Sequence, residues 1–243
     1  MIPAEIHGFF QSNQDVLWLT TVLLDLALTV LMYRIFGRQG LLACIVLAIL
    51  LSNLQGPKLT TIFGLQTSLG VIFYSGIFFA TDLLSEKYGR MQANRAVIIG
   101  FAVSVITVLM LSIALEFQPT TDPETAALSR DIQDSFATIL NFTPRFVFGS
   151  LFAYLISQTF DVWFFHFIKK RTHGRHLWLR NNLSTMTSQI IDTLLYSLVV
   201  WWGVVELSTA IQLGIVKYGF KLAIAAFDTP FIYWARSWPH RET

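Results

Sequence analysis

The sequence predicts an all-α integral membrane protein: a bundle of about seven transmembrane helices. Three observations carry this. Of 243 residues, 54% are hydrophobic and only 13% are charged, with a mean hydropathy of +0.57, whereas soluble domains carry about 25% charge. Seven apolar segments reach or approach the ~20 residues a helix needs to cross a bilayer. Lys and Arg fall in alternate connections, as the positive-inside rule requires.

The seven segments are 16–33, 41–54, 69–84, 96–115, 146–168, 183–205 and 211–234. No basic stretch precedes the first, which therefore reads as a span and not as a cleavable signal. The second and third are short. Gly56-Pro57 and Gly64 break the chain between them, and Lys58 adds a charge. They are expected as a pair joined by a tight bend, with both helices extending into the flanks. With the N-terminus outside and the C-terminus inside, the cytoplasmic turns hold Arg34 and Arg38; Lys87, Arg90 and Arg95; Lys169, Lys170, Arg171, Arg175 and Arg180; and Arg236 and Arg241. That is 12 of the 17 basic residues. The outside holds Lys58, Arg130, Arg145 and Lys217, and Lys221 lies within a span. Six spans would break this alternation.

Residues 1–243 are expected to form one polytopic domain, with residues 116–143 as an external loop. Asp122-Pro123-Glu124 reads as an N-cap, a first-turn proline and a first-turn acid. Leu128, Ile132, Phe136 and Ile139 then follow at helical spacing, so an amphipathic helix lies on the outer membrane surface or over a cavity mouth. A surface helix without a role is the plainer account. Trp18, Tyr33, Trp163, Trp178, Trp201, Trp202, Trp234 and Trp238 crowd the helix ends, where aromatic belts form.

Much is excluded. The net charge of +2 does not point to nucleic acid. Cys44 is the single cysteine; it makes no internal disulfide, and no Cys/His spacing resembles a zinc site. Walker, GxGxxG, HExxH and GxSxG motifs are missing. No metal and no cofactor is expected.

The informative residues are polar groups in apolar surroundings. Asp25, Asp82, Glu86, Asp161, Asp192 and Asp228 fall in or at the ends of spans. Ser157-Gln158-x-x-Asp161 recurs 31 residues on as Ser188-Gln189-x-x-Asp192. The two copies sit on apolar helices joined by the most basic stretch of the chain, 169–182. Within each copy Gln and Asp share a face, roughly 10–15 Å in from the basic end. Serine and glutamine alone would serve as interhelical glue, but two carboxylates exceed that need, and intramembrane acids point to function by default. Asp82, Ser85 and Glu86 share a face of the third span. Glu86 has Arg90 at i+4 and reads as a surface pair, while Asp82 lies deeper and has none. Lys221 needs an acid, which Asp228, Asp192 or Asp161 could supply. Pro230 follows Asp228-Thr229 and can kink the last helix.

These residues also form a recognisable set. Ala80-Thr81-Asp82-Leu83-Leu84-Ser85-Glu86-Lys87-Tyr88-Gly89 resembles the hallmark of the queuosine precursor transporters, a vitamin-uptake-like family of small membrane proteins. So do Ser157-Gln158 with Asp161, Arg180-Asn181-Asn182-Leu183-Ser184-Thr185, Ser188-Gln189 with Asp192-Thr193, and Asp228-Thr229-Pro230. Asn53 and Lys58 also look like family positions. The resemblance runs from about residue 16 to 234 and is closest to the bacterial branch with an added first span. It implies a multi-pass protein of the bacterial inner membrane that imports a 7-deazaguanine for tRNA modification: 7-cyano-7-deazaguanine, its aminomethyl relative or queuine. The candidate substrate-binding residues are Asn53, Asp82, Gln158, Asp161, Gln189, Asp192, Lys221 and Asp228. A deazaguanine presents N1–H and an amine that suit a carboxylate, an O6 that takes a donor from Gln or Asn, and a flat ring for which Phe160 and Trp163 offer faces.

Without a nucleotide-binding loop the first reading is a secondary carrier, with Asp82 and Lys221 as candidates for proton coupling. The alternatives are the substrate-binding component of an energy-coupling-factor transporter, or an intramembrane enzyme in which Asp161 and Asp192 mimic a protease dyad. The expected partners are the small-molecule substrate and the lipid bilayer. Gly76-x-x-x-Ala80 and Gly149-x-x-x-Ala153 could pack helices within one chain or in a homodimer.

Overall fold

The computed structural model describes residues 4–56, 58–140, 144–201 and 206–238. Pro57, Trp202, Arg241 and residues 141–143 lie outside the described residues. The chain runs α1 (Ala4–Ser12), α2 (Gln14–Gln55), β1 (Leu59–Ile62), β2 (Leu65–Ser68), α3 (Val71–Tyr88), α4 (Arg90–Leu115), α5 (Ala126–Leu140), α6 (Pro144–Arg171), α7 (Leu177–Tyr196), a π-helical turn (Ser197–Trp201) and α8 (Leu207–Arg236).

Among the described residues the expected apolar segments fall on helices, apart from Leu69 and Gly70 ahead of α3; residues 202–205 of the sixth segment lie outside the described residues. The first two share α2, whose 42 residues at 1.5 Å each would measure about 63 Å, twice a hydrocarbon core of ~30 Å. The backbone breaks at Gly37, with φ 56° and ψ −131°, a conformation that glycine reaches without a Cβ penalty. By length and composition, three described helices could cross a membrane: Gln14–Gln55, Arg90–Leu115 and Gly149–Arg171. Of the helices outside that set, α3, α7 and α8 carry Asp82, Arg180, Asp192, Lys221 and Asp228.

Between the second and third segments the chain forms an antiparallel hairpin where a bend between helices was expected. Thr60 pairs with Thr67 and Ile62 with Leu65. Phe63 (φ 51°) and Gly64 (φ 75°) both take the left-handed turn conformation, as a two-residue hairpin turn of matching twist requires. The Asp15 carboxylate accepts a hydrogen bond from Phe63 N–H at 2.7 Å, fastening the hairpin to the start of α2.

Helix α3 is the centre of the bundle. It packs against α2, α4, α6 and α8, and every residue from 75 to 85 is buried. Gly76 lets α2 approach, since a Cβ there would stand 2.5 Å from Asp25 Oδ2. The Gly76–Ala80 stripe is thus used inside the chain. Of the aromatics at helix ends, Trp18 and Tyr33 are buried, Trp18 edge-on to Phe220 and Tyr33 stacked on Trp238. Trp163, Trp178 and Trp234 remain exposed.

Asp122 caps the turn ahead of α5: its Oδ1 accepts from Glu124 N–H at 2.9 Å. The apolar stripe of α5 stays uncovered, with Leu128, Ile132, Phe136 and Ile139 between 45% and 62% exposed. Gln133 Nε2 donates to the Leu115 carbonyl and ties α5 to the end of α4.

The contact at Gly76 gives a test. Gly76→Ala should cost about 1–3 kcal/mol through overpacking, read as a lowered thermal midpoint in detergent. Adding Asp25→Ala removes the clashing carboxylate and should recover most of the loss.

Candidate functional site

The buried face of α7 is polar. Beyond Leu177 its buried residues are Arg180, Asn181, Ser184, Thr185, Ser188, Gln189 and Asp192. Steps of one and three residues place them on one stripe of a helix. Leu183, Ile190 and Leu194 occupy the exposed side, so the helix is polar inward and apolar outward. Against it α6 sets Ser157, Gln158 and Asp161, all buried.

The two Ser-Gln-x-x-Asp copies interlock by exchange. Ser188 Oγ donates to Asp161 Oδ1 at 2.8 Å, and Ser157 Oγ donates to Asp192 Oδ1 at 3.4 Å. Each serine thus binds the other copy's acid, as expected of neighbouring antiparallel helices carrying one motif.

Helices α3 and α8 then make the two acids unlike. Asp192 receives the Lys221 ammonium on Oδ2 at 2.5 Å and the Tyr74 hydroxyl on Oδ1. The Lys221 ammonium also lies 4.5 Å from the centre of the Tyr74 ring. Asp161 instead has the carboxyl of Asp82 as its neighbour, the two acids being held by Ser188 and Thr185, three residues apart on α7. Thr185 Oγ1 donates to Asp82 Oδ2 at 3.0 Å. Asp228 faces this side too and accepts from Asn181 Nδ2 at 2.7 Å, while Asn182 Nδ2 donates to Thr229 Oγ1. Of the three acids considered for Lys221, the structure selects Asp192.

Gln158 and Gln189 are 0% exposed, yet neither amide oxygen nor amide nitrogen of either has a hydrogen-bond partner among the described residues. Asp82 Oδ1, Asp161 Oδ2, Asn181 Oδ1 and Ser85 Oγ are likewise buried without one. A buried polar group left unpaired costs about 1–3 kcal/mol, so such a concentration marks a place where water or a ligand would be held.

Seven of the eight candidate residues therefore gather in one buried cluster: Asp82, Gln158, Asp161, Gln189, Asp192, Lys221 and Asp228. Asn53 does not join them; it is half-buried near the end of α2, and none of the cluster's hydrogen bonds reaches it. Phe160 and Trp163 are also displaced, because they belong to an outward-facing aromatic group with Phe164 and Phe167. The aromatic inside the cluster is Tyr74, backed by Phe78 at 5.7 Å. Sequence reasoning missed it; its one signal was a phenol seven residues, two helical turns, from Thr81 on the same span.

One end of the cluster is closed by ions. Glu86 pairs with Arg180 at 2.7 Å, Lys169 at 2.9 Å and Arg236 at 3.2 Å. The expected surface pair with Arg90 is thus replaced by bridges to α6, α7 and α8. Arg180 is wholly buried and also donates to the Gly174 and Arg175 carbonyls. Burial pushes the Glu86 carboxyl up, but bonds and charge from Lys169 and Arg180 outweigh this and hold it below its ordinary value.

The family described as "Putative vitamin uptake transporter" matches residues 68–235, the part that contains every member of the cluster. The chain is 35% identical over 221 residues to the "Probable queuosine precursor transporter" of Bacillus subtilis (strain 168), covering 90% of this chain and 93% of that protein. It is 26% identical over 185 residues to the "Queuosine precursor transporter" of Escherichia coli (strain K12), covering 74% and 76%. No solved structure matches it.

Removing the carboxylate from the ion network should be costly, because it strands a buried guanidinium. Glu86→Gln is expected to lose about 3–5 kcal/mol, while Lys169→Ala, at a partly exposed pair, should lose less than about 1 kcal/mol. Denaturation in detergent measures both. A carboxyl depressed on folding stabilises above its unfolded value and stops doing so as pH falls through its folded one. The gap between wild type and Glu86→Gln should therefore narrow as pH drops below the ordinary glutamate value of 4.5.

Proposed function

The chain belongs to the family of vitamin uptake transporters, and from that premise we propose that it imports a 7-deazaguanine precursor of queuosine as a secondary carrier. The relatives are named as transporters, and the chain is a transporter rather than an enzyme. The observation that carries the substrate reading is the pair of fully buried, unpartnered amides of Gln158 and Gln189, set among carboxylates.

The chemistry of the two sides is complementary. The deazaguanine O6 takes a donor, which an amide –NH₂ supplies, and its N1–H and exocyclic amine need an acceptor. Asp161 is the better acceptor of the repeated pair, because one of its oxygens lacks a donor, whereas both oxygens of Asp192 are engaged. Tyr74 offers an aromatic face on the Asp192 side, and Asp192 with Lys221 holds that ring in place. Asn53 has no part in this arrangement.

The carrier lies in the plasma membrane with its N-terminus outside and its C-terminus inside. The Glu86 end of the bundle, where Lys169, Arg180 and Arg236 converge, is then cytoplasmic, as the positive-inside rule favours. The exposed apolar stripe of α5 rests on the outer leaflet.

Uptake of labelled 7-cyano-7-deazaguanine in cells that cannot synthesise it tests the assignment. Gln158→Ala and Gln189→Ala should each cut uptake about tenfold, the effect of one lost hydrogen bond worth ~1.4 kcal/mol. Asp161→Asn should cut it further. Full uptake by all three variants, at wild-type protein levels, would remove the cluster from substrate recognition.

A further inference from the structure

We propose that the Asp82–Asp161 carboxyl pair carries a single proton, and that loading this proton couples uptake to the proton gradient. The proposal rests on the carrier reading above and adds its energy source and the residues that provide it.

The geometry is specific. Two carboxyl groups, both 0% exposed, are held side by side by hydroxyls three residues apart on α7, Thr185 at 3.0 Å from Asp82 and Ser188 at 2.8 Å from Asp161. Each has one oxygen served by a hydroxyl: Asp82 Oδ2 by Thr185 and Asp161 Oδ1 by Ser188. Each has one oxygen without a donor, Asp82 Oδ1 and Asp161 Oδ2. A carboxylate has no hydrogen to give, and two adjacent carboxylates do not both stay ionised in a medium that screens them poorly. One proton between them supplies the missing donor and removes one of the two charges.

Among the described residues no fixed cation does this instead. Helix α3 contributes Asp82, α6 contributes Asp161, and α8 contributes Asp228, a third acid. Helix α7 faces the pair with the hydroxyls of Ser184, Thr185 and Ser188 and with the Asn181 amide, which is turned to Asp228. Lys221 is committed to Asp192 and Arg180 to Glu86. From α2 the acid is Asp25, but it lies against Gly76, six residues up α3 from Asp82. Lys221, a proton-coupling candidate on sequence grounds, has its charge occupied; Asp82 keeps the role and gains Asp161 as its partner. An independent sign of a ligand lies beside the pair: Gln158, one helical turn from Asp161, is fully buried with both amide atoms unpartnered.

The coupling follows from charge. With one proton on the pair, a single anionic charge remains to accept the N–H groups of the substrate, and the bundle can close over it. Without the proton, two adjacent anions must stay hydrated and closure is disfavoured. Proton and substrate therefore enter together; the proton leaves the pair to water on the inner side when the substrate does.

The test uses purified protein in lipid vesicles and labelled 7-cyano-7-deazaguanine. For one proton per substrate, an inside-alkaline gradient of one pH unit should raise accumulation about tenfold over no gradient. Asp82→Asn should abolish this ratio, Asp82→Glu should restore part of it, and Asp25→Asn should leave it at the wild-type value. Infrared spectra of the wild-type protein should show a buried protonated-carboxyl band that shifts in D₂O and is lost in both Asp82→Asn and Asp161→Asn. This readout does not depend on transport. Wild-type vesicles that exchange labelled for unlabelled precursor but ignore the pH gradient would overturn the coupling alone. So would an unchanged gradient ratio in Asp82→Asn, or a missing carboxyl band. Wild-type vesicles that neither exchange nor accumulate the precursor would bring down the carrier reading, and the coupling with it.

Discussion

The charges at the centre of this bundle are met by groups from other helices, and the rest of the structure is arranged to make those meetings possible. Asp192 meets Lys221 of α8, Asp228 meets Asn181 of α7, and Asp82 meets Thr185 of α7. The penalty for stranding a charge in a medium of low dielectric is several kcal/mol, which exceeds what any one helix–helix contact returns in a membrane. The helices consequently cannot slide or rotate independently. Their register is set by polar pairs, and apolar packing fills in around them. α3 suffers this constraint most, because it is buried on all sides and still carries Asp82 in its middle.

The repeated motif shows how similar residues acquire different roles. By sequence, Asp161 and Asp192 are equivalents, and the crossed serine bonds treat them alike. Their difference comes from α8, which brings an ammonium to one, and from α3, which brings a phenol to one and a carboxyl to the other. Asp192 becomes a satisfied structural charge beside an aromatic ring. Asp161 is left with an unserved oxygen and an acidic neighbour. A two-fold motif has been built into a one-fold site by its surroundings.

The all-helical bundle was readable because apolar runs and the basic turns between them are long-range patterns that no local detail overrides. Most of the cluster was readable for a related reason: an acid or amide amid apolar residues is conspicuous. Other features are set in three dimensions. The hairpin at 59–68 consists of four-residue strands, too short for a period-two pattern to separate from a loop. Glu86 has Arg90 one turn away in sequence, but α3 ends at Tyr88 and a new helix starts at Arg90. The i+4 rule applies only within one helix, and Gly89, at φ 82°, breaks it. Trp18 and Tyr33 look like belt residues by position along the helix, but whether a helix end faces lipid or a neighbour depends on rotation about its axis. The same uncertainty misplaced Phe160 and Trp163, which lie on the outer side of the helix that carries Asp161 inward.

The extent of the polar stripe bears on the kind of transport. From Asn181 to Asp192 it spans eleven residues, a rise of about 16 Å, roughly half of a ~30 Å hydrocarbon core. At one end, Glu86 gathers Lys169, Arg180 and Arg236, one helical turn from Asp82 on the same face of α3. Near the other, Trp18 packs edge-on against Phe220, the neighbour of Lys221 in sequence, and against Phe63 of the hairpin. A pore would need polar lining through the full thickness. A half-length polar stripe between an ionic closure and an aromatic one suits the carrier proposed above, whose site would open to one side at a time. The two closures differ in what loosens them: the ionic end responds to charge and hydration, the aromatic end to displacement of the hairpin. For the carrier proposed above, alternating access therefore falls to the two closures, since polar pairs fix α6, α3 and α8 to α7 between them.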